Sequence, residues 1–127
     1  MVKDTLNELT RALRDLHRSL VEVERRNYER EWGPVGDGGQ LLQLLTKHPQ
    51  FDWLHRLSEF IVDVDELADQ PGVSDADLRA SLKQANALLA PAEAESTDFS
   101  RRYVALLQDN PALVMAHANV RRVLSPA

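Results

Sequence analysis

Four histidines, twenty carboxylates and two tyrosines are the side chains of this 127-residue chain that could bind a cation or move a proton. Seven of them fall in one stretch, FDWLHRLSEFIVDVDELAD, and five of the seven, Asp52, His55, Glu59, Asp63 and Glu66, recur at helical spacing. At about 100° per residue they occupy an arc of roughly 80° on a helix. An imidazole among carboxylates at that spacing is what one arm of a di-metal bundle site needs, where Glu-x-x-His motifs project inward from facing helices. Such a site needs several of these motifs, and no Glu-x-x-His occurs here. The apolar residues Trp53, Leu57, Phe60 and Val64 point roughly 150° away from the ridge, so the ridge is expected to face water. From Asp52 to Asp77 there are eight acids and a single base, Arg56. That strip suits a basic partner.

A second set lies along the first segment and near the end of the chain. In the heptad frame of the first segment, His17 and Glu24 flank the apolar stripe at e positions, and Asn27 and Arg30 continue it at a and d. Tyr28 stands beside the stripe, and His117 flanks the apolar face of the last segment. The first expectation for these groups is hydrogen bonding to neighbours at the core edge. The alternative is a polar pocket of His17, Glu24, Tyr28 and His117, joined by Tyr103. Three or four N/O ligands there would suit a metal, and a pair of them would suit acid–base work near neutral pH.

Other motifs carry less. GPVGDGGQ, residues 33–40, is rich in glycine but follows a helical segment, and it has neither a G-K-[ST] ending nor a G-x-G-x-x-G. It is read as a connector. The pairs Arg25-Arg26, Arg101-Arg102 and Arg121-Arg122 are expected to pair with acids, as in Arg26 or Arg18 with Glu22. Neither G-x-S-x-G nor H-E-x-x-H occurs, and Ser58, Ser74, Ser81 and Ser100 sit in no context that marks a nucleophile. Without cysteine, disulfides, thiol chemistry and Cys-ligated metals are excluded. No catalytic residue, metal site or cofactor is assigned.

The elements that would position these groups are helices. Leu6, Leu9, Leu13, Leu16, Leu20 and Val23 recur at intervals of three and four, which puts all six on one stripe. Thr5 and Glu8 read as a capping box and Gly33-Pro34 as a stop. The spacing therefore predicts a helix over about 5–32, roughly 40 Å long. Shorter helices follow over 40–47, 50–69, 74–90, within 92–109, and over 111–124. Ser74 with Asp77 caps the fourth, Pro91 interrupts the chain after it, Asn110-Pro111 opens the last, and Ser125-Pro126 ends it. No stretch alternates with period two for long enough to form a strand. The expectation is an all-α, single-domain bundle spanning 1–127, with five or six helices and a long first one.

Composition bounds the rest. With 43% hydrophobic and 28% charged residues, the chain resembles an ordinary globular domain. A net charge of −5 argues against nucleic acid, and no apolar run is long enough to span a bilayer. The periodic, charged N-terminus reads as no signal peptide, so a cytoplasmic location is expected. The first helix should outreach neighbours of 8–20 residues. Its overhang, with Tyr28 and Trp32 or with Leu6 and Leu9, would then anchor an interface in a homodimer or with a protein partner, unless the 40–47 helix folds back over it. Action through protein–protein contact or self-association is the leading functional expectation. A metal- or ligand-binding bundle around His17, Glu24 and His117, possible as an enzyme, is the alternative.

Overall fold

The apolar stripe of the first segment becomes the axis of the molecule. In the computed structural model, which describes residues 2–89 and 98–124, α1 runs over Val2–Trp32. Leu6, Leu9, Leu13, Leu16 and Leu20 on it are fully buried, each contributing about 1.5–3 kcal/mol of burial. The helix has 31 residues, or about 46 Å at 1.5 Å per residue. It begins before Thr5, so Thr5 and Glu8 lie inside it, and the capping box expected there does not start the helix. It ends as expected: Gly33 takes φ +95° and its N–H bonds the Glu29 carbonyl at 2.9 Å. That left-handed conformation favours glycine.

The remaining helices are α2 (Gly38–Lys47), α3 (Pro49–Asp52), α4 (His55–Asp69), α5 (Asp75–Leu89), α6 (Asp98–Asp109) and α7 (Pro111–Leu124). Among the described residues there is no strand, and the architecture is the expected all-α bundle with a long first helix. α1 packs most extensively on α7 and next on α4, with α5 also against it, while α6 lies against α7 and α5. One hydrophobic cluster runs through all of these helices. The break expected at Pro91 and the Ser125-Pro126 end fall outside the described residues.

The single helix expected over 50–69 is two. Phe51 and Trp53 are both buried, yet on one straight helix they would point about 200° apart. Phe51 lies beside Tyr28, with ring centroids at 6.2 Å, and Trp53 lies beside Phe99 at 5.1 Å. The chain reconciles the two by turning through Trp53 and Leu54 before α4 begins.

Local capping follows the side chains. The Asp37 carboxylate accepts from Gln40 N at 2.9 Å, starting α2 two residues before the expected position. Ser74 and Asp77 form the expected reciprocal pair, each side chain accepting from the other's backbone N–H at 3.1 Å. Asn110 works backwards: its amide donates to the Leu106 carbonyl at 2.8 Å, closing α6, while its own carbonyl accepts the first N–H groups of α7.

Candidate functional site

The five polar residues singled out in the sequence go to several places. Tyr103 and His117 are brought together, with the phenol oxygen 2.6 Å from Nδ1 across the α6–α7 pair. Burial pushes the Tyr103 hydroxyl well above its ordinary range, so it stays protonated. Burial, then the charge of Arg121, holds the His117 imidazole below its ordinary value. Both groups are neutral, and the imidazole tautomer sets which of them donates in the bond they share. Glu24 is buried and accepts from Asn27 Nδ2 at 3.3 Å, and its carbonyl accepts from Gln50 Nε2. Tyr28 meets His48 edge to face, with ring centroids at 5.3 Å. Helix rise alone separates His17 from Tyr28 by about 16 Å, so the two cannot share one small pocket.

His17 reaches α4. Its Nε2 and Ser58 Oγ share a hydrogen bond of 2.8 Å. Burial and then the neighbouring His55 hold its pKa low, which leaves it a neutral base beside a hydroxyl. A nucleophile also needs donors for the developing oxyanion. Ser58 sits within α4, where its own N–H bonds the Leu54 carbonyl at 3.2 Å. The geometry is that of an interhelical hydrogen bond. Among the described residues no group of three or more histidines and carboxylates is placed to hold a metal ion.

Asp52, His55, Glu59, Asp63 and Glu66 are all exposed, so the ridge is wet as its helical phase requires. The arginine pairing is partly as expected. Glu22 takes Arg25 at 2.6 Å and Arg26 at 3.6 Å, whereas Arg18 lies nearest Asp15.

Exposed apolar side chains stand on α6 and α7, at Val104, Val114 and Met115, and at the C-terminal end of α1 with the loop and helix that follow it. α2 carries Leu41, Leu42, Leu44 and Leu45, and none of its residues is buried. Leu44 and Leu45 touch the core, and Tyr28 is half-buried beside Phe51 of α3. Trp32 remains 63% exposed and Leu42 60%. α2 packs on α3 and leaves the end of α1 open.

Between α1 and α2 lies a pocket of about 390 Å³. Its walls include Tyr28, Pro34, Leu44, Gln43, Lys47 and His48. The middle of the loop beside it is tied to both flanking helices: Gly36 N donates to Gln40 Oε1 at 2.7 Å and Val35 N to Glu29 Oε2 at 3.4 Å. A Cβ at residue 36 would stand 2.5 Å from that Gln40 oxygen. His48 and Lys47 were read in the sequence only as the end of a helix. The available signal was a glycine-rich loop leading into a leucine-rich helix, which says nothing of a concave surface.

Fold and site define an all-α bundle whose long first helix ends in an open surface of apolar side chains and charges of both signs. Comparison with protein-family models, curated proteins and solved structures finds no match to this chain.

Proposed function

We propose that this chain acts through protein–protein contact, as a two-fold self-associating bundle whose seam is the end of α1 with α2. The observation that carries the reading is the exposure of Trp32 and Leu42 beside a helix of four leucines, none of them buried. Apolar side chains gathered at one end mark an interaction site more often than scattered ones do, and tryptophan is the residue most enriched where binding energy concentrates.

Charge favours a second copy as the occupant. The exposed ionic residues at this end are Arg30, Glu31, Asp37 and Lys47, two of each sign. None of the four makes an ion pair within the chain among the described residues. A two-fold axis places one patch against itself, so a balanced patch can pair each cation with the other copy's anion.

Light scattering at tens of micromolar tests this. The expected mass is twice the 14.3 kDa of the chain, returning to that of one chain when Trp32 and Leu42 are both changed to serine. Only a 14.3 kDa species from the unaltered protein at those concentrations rejects the reading.

A further inference from the structure

The pocket between α1 and α2 differs in charge from the rest of the molecule. The chain has 20 acids against 15 bases, yet no acidic side chain lines this pocket among the described residues. Its one formal charge is the ammonium of Lys47, which makes no ion pair among the described residues. His48 Nδ1 accepts from Gln50 N at 3.1 Å, so the neutral ring carries its proton on Nε2 and offers a further donor. Gln43 adds an amide. The remaining wall is apolar or aromatic: Pro34, Leu44 and the Tyr28 ring, which stands at 89° to that of His48.

We propose that this pocket binds a small aromatic carboxylate. A volume of about 390 Å³ falls within the range of small-molecule sites, which combine an apolar lining with a few placed polar groups. One ammonium matches one negative charge. A phosphate dianion is recognised by clustered cations or guanidinium forks, and the pocket has neither. The perpendicular rings and the leucine wall suit a flat apolar body, and Lys47 at the rim suits its carboxylate. The loop that closes the pocket is already bonded to Gln40 and Glu29, so little ordering is required on binding. The pocket adjoins the proposed seam and shares Lys47 with it, so a bound carboxylate and a second copy would compete for that ammonium.

The test is an NMR titration of the full ¹⁵N-labelled chain with benzoate, benzamide and hexanoate. Benzoate should give saturable shifts confined to residues near Tyr28 and across 34–49, with a millimolar or tighter Kd. Benzamide lacks the charge and hexanoate lacks the ring, and each should bind about tenfold more weakly. Lys47→Gln should cost about tenfold in benzoate affinity with the rest of the spectrum unchanged, and Lys47→Arg should retain binding. Any one of three results overturns the proposal: no saturation with benzoate up to about 10 mM, equal binding of benzamide, or unchanged affinity in Lys47→Gln. Light scattering on the same samples separates this outcome from that of self-association.

Discussion

The Tyr103 hydroxyl lies 2.6 Å from Nδ1 of His117 and joins the middle of α6 to the middle of α7. The tyrosine ring is fully buried, stacks on Phe99 at 5.8 Å and contacts the His117 ring at 5.5 Å. Replacing Tyr103 by phenylalanine keeps the ring contacts and leaves the imidazole nitrogen without its hydrogen-bond partner. The expected loss is about 1 kcal/mol in urea unfolding. Tyr103→Ala should cost several times more, about 3–5 kcal/mol for an aromatic core residue.

The histidines set the pH dependence. His17 and His117 both have pKa values lowered by burial. Between the folded and the unfolded value the unfolded chain binds more protons, so stability rises with pH there. Their contribution is fully present above the ordinary value of 6.5 and is lost as pH falls through the folded values. The melting temperature should be flat above about pH 7 and fall as the pH drops below about 6.5. Changing both residues to glutamine should flatten that fall, and a slope unchanged in the double variant would count against the assignment.

Leu13 sits fully buried near the middle of the α1 stripe, where packing on both sides limits collapse into a new void. Leu13→Ala should cost about 3–5 kcal/mol with the far-ultraviolet helical signal retained below the transition. Asn7→Ala, exposed on the same helix, should stay within about 0.5 kcal/mol.

Ser74 and Asp77 stabilise the start of α5 by reciprocal bonds. Ser74→Ala should cost about 1 kcal/mol, with faster amide exchange confined to the first turn of α5.

The proposed self-association through the end of α1 would make stability concentration-dependent, because dimer formation draws on the folded state alone. A hundredfold increase in protein concentration should raise the melting temperature of the unaltered chain and leave that of the Trp32→Ser, Leu42→Ser variant where it was.

Much of the fold was legible because one physical rule set it. The 3–4 spacing from Leu6 to Val23 put a single greasy stripe on one helix, and the five leucines of that stripe are fully buried. The same rule placed Glu59 and Asp63 on the wet side. Ser74 with Asp77 was equally readable, since a capping box is contained within four residues. The split between α3 and α4 was less so. It answers to where the partners Tyr28 and Phe99 lie, and neither is near in sequence.

The site followed a different logic. The sequence gathered His17, Glu24, Tyr28, Tyr103 and His117 by residue type, although the rise of α1 already forbade His17 and Tyr28 from meeting. What the amino-acid order determined by itself was everything governed by helical period and local hydrogen bonding: the helices, their inward faces, most of their ends and the exposed ridge. What only the tertiary structure decided was partnership across helices: His17 with Ser58, Tyr103 with His117, and Lys47 beside Tyr28 around a cavity. Periodicity fixes the direction in which a side chain leaves its own helix, but the group it meets depends on how rigid rods are placed against one another, and that placement is settled by the packing of the whole core.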